Sequence, residues 1–442
     1  MVNISIPLNE GQKGAVDLID AFLHSSDKNV FVLTGSPGTG KTYMTKAVLE
    51  QYDSHKIFCG AVSHAAKSVL AKAIDYEFRT YTIAQLLGTK MEINLETGEF
   101  ESILPKNNRA KLPIIKNGIL LLDEVSMVDS IMHYNILEYL KAYNIKCIAI
   151  GDPFQLPPVE HALEDSLFFK HIDFSLTESM RFNESIRKLS EIYYREIKSF
   201  NEEGLINPWA LNEHTQREDG EDYKFFNDIY GFIEQAAYEI KTHPDNPNYA
   251  RVLAFKIKSI NLINAEIRRL IFGEHTKQFE QGEILISAGG YAPFNEQIIH
   301  NGQVLVVEDF EPVDKHPFDL DVVKIQFKGM DHTELPPIYT LKNTEEAHKN
   351  YYKMKVKYHR LAKIGSIDDV HIYERFLKSI GWFQYGYSST IYKAQGSTLQ
   401  QTYVTEGEVM RVKMLDWKTK FQALYVAITR GKDKVFIHNK DY

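Results

Sequence analysis

Cysteine is almost missing from this chain: Cys59 and Cys147 are the only two in 442 residues. They stand far apart in apolar, strand-like stretches, which leaves no disulfide framework or cysteine metal site and predicts buried free thiols in a reducing compartment. An excess of positive charge is missing too. Lys and Arg total 51 against 59 Asp and Glu, a net charge of -8. A protein that coats nucleic acid or anionic membrane with its whole surface is therefore excluded, and any nucleic-acid partner must be gripped in a local groove. No apolar run approaches the length of a membrane span, and Met1 to Glu10 has neither the basic start nor the apolar block of a signal peptide, so a soluble cytoplasmic protein is expected. Internal repeats, heptads and low-complexity tracts are absent. What remains is a globular composition, 44% hydrophobic and 25% charged, with length for about three domains.

The chain is organised around Gly35-Ser36-Pro37-Gly38-Thr39-Gly40-Lys41-Thr42, which follows the apolar run Val30 to Leu33 and leads into helical Tyr43 to Leu49. Strand, glycine loop and helix in that order set backbone N–H groups around a polyphosphate at a helix N-terminus. Gly35, Gly38 and Gly40 let the backbone come close, Lys41 brings an ammonium to the β and γ phosphates, and Thr42 can join the coordination shell of Mg²⁺. Just upstream, Leu8-Asn9-Glu10-Gly11-Gln12 opens a helix; Gln12 there is either an adenine reader or an ordinary exposed helix-start residue. An apolar strand from Ile114 to Leu122 ends in Asp123-Glu124. Asp123 suits Mg²⁺ held through water, and Glu124 suits polarising the water that attacks the γ-phosphoryl group. The next strand, Cys147 to Ile150, ends in Gly151-Asp152-Pro153-Phe154-Gln155. Gln155 both donates and accepts, as a γ-phosphate sensor must, and Arg181 follows in Leu176 to Arg181.

Other stretches point to a second ligand. His64, in Ser63-His64-Ala65-Ala66-Lys67 after a strand over Ile57 to Val62, is a nucleic-acid contact or a helix cap. Met91 to Leu104 alternates with period two about Thr97-Gly98, a hairpin inserted in an α/β unit. Its glutamates would repel phosphate, so it is either a wedge on which paired strands split, with Phe100 as a stacking face, or a solvated decoration. A second α/β unit begins with a strand over Arg251 to Phe255 and a helix over Lys258 to Phe272. It resumes with Ser388 to Thr398, a strand over Gln401 to Thr405, Leu424 to Gly431 and a last strand to His438. This half has no second G-x-x-x-x-G-K-[ST] and cannot bind its own triphosphate that way. Between its parts, short β runs read as a small barrel, and the basic, aromatic stretch His348 to Ile364 is either a DNA-tracking arm or a helix with Met354, Tyr358 and Leu361 packed and its lysines solvated.

With these residues in view, the chain resembles the superfamily 1B helicases, the RecD-like group, over nearly its whole length. Leu8 to Gln12, Ala61 to Lys67, Asp123-Glu124, Gly151 to Val159, Arg181, Ser389 to Gly396 and Tyr425 to Arg430 stand in the family's motif order. Ile257 and Tyr392 depart from it, where an asparagine and a histidine are usual. The resemblance implies an α/β fold of two RecA-like, P-loop-type parallel-sheet domains with an inserted β-hairpin pin and an inserted SH3-like barrel plus helical tower. It divides the chain into 1–180 with the pin at about 88–110, then 181–282 with 383–442, and an insertion at 283–382. It also implies ATP and Mg²⁺ as cofactors, with Lys41, Glu124, Gln155, Arg181 and Arg430 in catalysis. Gln12, Gly35, Gly38, Thr39, Gly40, Thr42 and Gly396 would hold the nucleotide, and Thr42 and Asp123 the metal. Ser63, His64, Thr82, Phe100, Pro157, Thr390 and Lys393 would touch nucleic acid. The expected activity is 5′-to-3′ movement on single-stranded DNA with duplex unwinding by a monomer, and single-strand-binding or replication proteins are expected partners. A strand clamp or translocase that displaces proteins without unwinding, and an RNA helicase, are the alternatives.

Overall fold

The computed structural model describes residues 8–103, 115–158, 165–178, 184–204, 219–274, 277–292, 298–330 and 336–440. Two parallel sheets dominate. The first runs, edge to edge, through Arg79–Thr82, Ile57–Ala61, Ile119–Leu122, Lys146–Gly151, Val30–Gly35 and Phe174–Leu176. Because successive strand residues face opposite ways, its apolar runs serve two cores at once. Phe31, Leu33, Cys59, Leu121 and Ile148 face the helices Glu10–His24, Lys41–Leu49 and His64–Ala73. Val32, Phe58, Leu120, Leu122, Cys147 and Ala149 face Ile136, Tyr139 and Leu140 of the helix Ser130–Tyr143. Both cysteines are buried and free. The strand expected over Ile114 to Leu122 begins only at Ile119, because Asn117 adopts a left-handed φ of 53° and Asn117-Gly118 turns the chain; Ile114 lies outside the described residues.

The second sheet has the order Ser388–Thr390, Ala250–Ala254, Leu399–Val404, Gly431–His438, Tyr223–Phe226, all parallel. One face packs on the helices Ile229–Thr242 and Ile257–Phe272. The other packs on Trp417–Ile428 and on Ile186, Leu189, Tyr193 and Ile197 of the helix Glu184–Glu203. Leu156, from the loop after the first lobe's strand Lys146–Gly151, is fully buried in this second-lobe cluster. The lobes are thus joined through apolar packing beside Gln155.

A five-stranded antiparallel sheet interrupts the second lobe, in the order Ile338–Leu341, Val322–Phe327, Val304–Pro312, Ile284–Ser287, Phe383–Tyr385. Its last strand lies beyond residue 382, so the sheet outruns the expected insertion. The buried pair Arg268 with Glu283 ties the helix Ile257–Phe272 to this sheet. Two helices, Glu345–Ile364 and Ile367–Lys378, stand beside it around Tyr351, Ala362, Tyr373 and Phe376. The first is a packed helix as one of the two readings had it, except that Leu361 is 41% exposed and Ala362 takes its place inside.

The hairpin Lys90–Asn94 with Glu99–Ile103 is not a solvated decoration. Ile93 and Leu95 pack against the two helices, Tyr373 Oη donates to Gly98 O at 2.6 Å, and His359 Nε2 lies 2.8 Å from Leu95 O. Lys355 meets Glu99 at 2.6 Å and Lys363 meets Glu96 at 2.7 Å. The acidic hairpin and the basic helix, unexplained separately, neutralise one another. Gly98 has φ +73°, and a Cβ there would stand 2.9 Å from the His359 ring, so glycine is required on both counts.

Candidate nucleotide site and nucleic-acid interface

The strand Val30–Gly35 delivers the glycine loop to the N-terminus of the helix Lys41–Leu49. Gly38 and Gly40 take φ of 84° and 77°, which side chains with a Cβ rarely adopt. A Cβ on Gly35 would come within 2.9 Å of Leu176 O. Beneath the loop, Gln12 completes a capping box with Asn9, and its Nε2 donates to Thr39 O at 3.1 Å. At 4% exposure it is no ordinary surface residue: it braces the cradle, with one amide hydrogen and one lone pair still uncommitted.

Lys41 Nζ folds onto Gly35 O and Ser36 O at 2.5 and 3.0 Å. Burial pushes its ammonium below the ordinary lysine range, opposed by the charges of Asp152, Glu124 and Asp123 and assisted by that of Arg430. The second lobe's arginine is therefore within electrostatic reach of the first lobe's lysine. The Asp123 carboxyl is pushed up to about 7, first by burial and then by the Glu124 charge, while the Thr42 hydroxyl bonds to it. Glu124 N donates to Asp123 Oδ1 at 2.9 Å, and Glu124 holds a left-handed φ of 56° at the turn that re-aims the chain after the strand. Two half-buried acids, a hydroxyl and a cradle of N–H groups fit a divalent cation carrying phosphate oxygens: Thr42 and Asp123 face one another, and burial together with the Glu124 charge is already raising the Asp123 pKa.

The opposite wall belongs to the second lobe. Tyr425 Oη donates to Asp152 Oδ2 at 3.0 Å, Gln422 Nε2 to Gln155 O at 3.0 Å, and Gln395 Nε2 to Gln155 Oε1 at 3.2 Å. Tyr425, Gln422 and Gln395 carry no individual signal in the sequence, although all lie in or beside the stretches Ser388 to Thr398 and Leu424 to Gly431. Arg430 is 4% exposed and bonds to Val426 O, Ser397 O and Thr429 Oγ1 at 3.1, 3.2 and 3.3 Å. A cleft of about 970 Å³ runs from Gly35, Ser36 and Pro37 to Tyr425 and Thr429, walled also by Arg187 and Tyr194 of the helix Glu184–Glu203. Arg181 lies outside the described residues. Gly396, expected at the nucleotide, instead has Ala66 of the helix His64–Ala73 as its neighbour, 3.7 Å from a Cβ built on it.

The nucleic-acid candidates gather mainly at carboxyl ends of strands. Ser63, rather than His64, caps the helix His64–Ala73, accepting Ala66 N at 3.1 Å, because a serine hydroxyl reaches the third amide of the turn. Thr82 and Thr390 cap the next short helices, accepting Gln85 N and Lys393 N, both at 3.2 Å. Each hydroxyl acts there as an acceptor and still carries a hydrogen that it can donate. His64 stacks on His300 of the antiparallel sheet domain. Lys393 is exposed and donates to Gln384 Oε1 at 3.2 Å. Pro157 is buried, and Lys378 stands 5.6 Å over the ring of half-buried Phe100.

A family model described as an AAA domain matches residues 7–198. The ATP-dependent DNA helicase dda of Enterobacteria phage T4 is 26% identical, covering 97% of this chain and 98% of that protein. An uncharacterised protein, R530, of Acanthamoeba polyphaga mimivirus is 25% identical over 97% and 99% of the two chains. Among solved structures, Pif1 helicase from Bacteroides, in complex with ADP-AlF3 and ssDNA, superposes with a TM-score of 0.51 at 17% identity, over 98% of this chain and 92% of that one, a likeness of fold. No helix among the described residues is long and apolar enough to cross a membrane. A nucleotide cradle in one lobe, a buried arginine in the other, and a phage DNA helicase matched end to end support a helicase that acts as an ATPase, similar to the RecD-like superfamily 1B group.

Proposed function

We propose that the chain moves 5′-to-3′ along single-stranded DNA and unwinds duplex ahead of it as a cytoplasmic monomer, closing and opening the cleft with each ATP. The observation that carries this reading is that the second lobe closes directly on the acidic side of the first lobe's cradle: Tyr425 Oη donates to Asp152 Oδ2 at 3.0 Å, and Gln422 and Gln395 donate to Gln155 at 3.0 and 3.2 Å. A site that merely stored nucleotide would need neither the acid beside the cradle nor a cation across it.

In this mechanism Lys41 leaves the loop carbonyls for the β and γ phosphates; Thr42 and Asp123 would hold Mg²⁺, which would supply charge neutralisation at those phosphates. Glu124 takes the proton of the attacking water. Gln155 senses the γ-phosphate. Arg430, held by carbonyls of its own lobe, turns toward the phosphate as the cleft closes, with Arg181 completing the clamp. The strand lies across Ser63, His64 and Thr82 on one lobe and Thr390 and Lys393 on the other, so cleft closure shifts one grip against the other. Stacking a base on a side chain contributes roughly 1–3 kcal/mol, comparable with roughly 1.4 kcal/mol for a duplex step. The division into 1–180 with a pin at about 88–110, 181–282 with 383–442, and 283–382 serves this motor, the hairpin standing at the fork. Forked duplex DNA is its substrate, and single-strand-binding or replication proteins are its partners.

Single-turnover unwinding of duplexes carrying only a 5′ or only a 3′ tail, in DNA and in RNA, tests this. Unwinding confined to 5′-tailed DNA is expected. Unwinding from 3′ tails, or of RNA alone, would overturn the polarity or the substrate.

A further inference from the structure

One amide of the second lobe touches both catalytic segments of the first. Gln395 follows the short helix Ile391–Ala394, and its Nε2 donates to Gln155 Oε1 and to Ser126 Oγ, each at 3.2 Å. Ser126 belongs to the single turn Val125–Met127, directly after Glu124. Gln395 is 6% exposed, and among the described residues its Oε1 has no hydrogen-bond partner. The side chain is therefore anchored through its nitrogen alone, with a buried acceptor open to a donor that arrives when the cleft rearranges.

The same turn reaches the groove. Thr390 caps the helix that carries Lys393, and Lys393 is exposed two residues before Gln395. The segment is tightly wound: Gln395 N bonds to Tyr392 O at 3.3 Å, Ser397 N to Ala394 O at 3.0 Å, and Ser397 Oγ to Ala394 O at 2.5 Å. Gly396, at φ +78°, lets it run past Ala66. A displacement of Lys393 is thus carried to Gln395 with little slack. Leu156 anchors the other partner, being buried in the second lobe's core directly after Gln155. The Gln395 to Gln155 bond joins two neutral groups, so breaking it strands no charge and its geometry can change within a cycle.

We propose that Gln395 is a positioning residue through which strand binding at Thr390 and Lys393 sets the orientation of Gln155 and of the turn behind Glu124. The inference rests on the reading of Gln155 as γ-phosphate sensor and of Lys393 as a strand contact.

Its test is equilibrium linkage in the full chain. Titrating a labelled oligothymidylate with and without a non-hydrolysable ATP analogue, and the analogue with and without oligothymidylate, measures one coupling factor twice, and the two values must agree. For Gln395→Leu the expectation is a coupling factor near one in both directions, with each ligand alone binding within about twofold of wild type. Gln155→Ala should abolish coupling equally, and the double variant should do no worse than either single one, because the two residues act as a unit. A Gln395→Leu protein with wild-type coupling refutes the inference while leaving the motor intact. Losses of both affinities together with a lowered melting temperature refute it in favour of a structural role. A wild-type coupling factor of one removes the motor reading and this inference with it.

Discussion

The imidazole rings of His64 and His300 lie face to face, their centroids 3.9 Å apart and their planes within 10°. They join the first lobe to the antiparallel sheet domain at a residue expected on the strand. Burial, then the proximity of His300 and Lys67, pushes His64 down to about 4, and burial and Lys67 lower His300 as well. Folded values below the unfolded value of about 6.5 mean that this contact contributes stability in full above about pH 6.5, and that the contribution is lost as the pH falls toward about 4. Melting temperature should therefore drop between about pH 6.5 and 4.5, and His300→Ala should flatten that drop. An unchanged slope in the variant would show that other groups govern the acid limb.

Deleting the hairpin should leave DNA-stimulated ATP hydrolysis and abolish unwinding of 5′-tailed duplex. Gly98→Ala should do part of the same, since the added methyl has no room against His359 and sits at a left-handed φ. Exposed pairs such as Lys363 with Glu96 contribute only about 0–1 kcal/mol each, so a charge reversal there should cost little. Tyr373→Phe, which removes a buried hydroxyl bonded to Gly98 O, should cost about 0.5–1.5 kcal/mol in denaturant titration.

Arg268→Met should destabilise the second lobe by about 3–5 kcal/mol, because the fully buried Glu283 carboxyl would lose its guanidinium partner and have to be either charged and uncompensated or protonated at a cost. A simultaneous Glu283→Leu should recover most of the loss. Failure of the double variant to recover would place the cost in packing.

Glu124→Gln and Lys41→Ala should each abolish ATP turnover, with Glu124→Gln still binding ATP in a filter or fluorescence assay. Normal turnover in Glu124→Gln would remove it as the base.

The elements legible in the sequence were those whose local chemistry repeats in space. The glycine cradle, the Asp123-Glu124 strand tip and both parallel sheets follow from apolar runs punctuated by turn residues. The strand ending at Leu122 starts later than its apolar run suggests, at Ile119, because the turn Asn117-Gly118 is short enough to hide between isoleucines. What the sequence could not display was reciprocity over long separations. The hairpin glutamates and the basic helix each look poorly suited to a role until Glu99 meets Lys355, 256 positions away. Gln395, likewise, reads as one more polar residue in a loop until Gln155 and Ser126 are found beside it. His300 carried no signal at all, since a single histidine between two β runs has no periodicity to betray its partner.

The most direct measurement is ATP binding and turnover by Arg430→Ala with saturating single-stranded DNA. Near-normal nucleotide affinity with turnover reduced by roughly 10³-fold or more is expected if the second lobe supplies the transition-state cation, as an arginine finger does. Turnover at the wild-type rate would contradict a cleft whose chemistry is divided between two lobes.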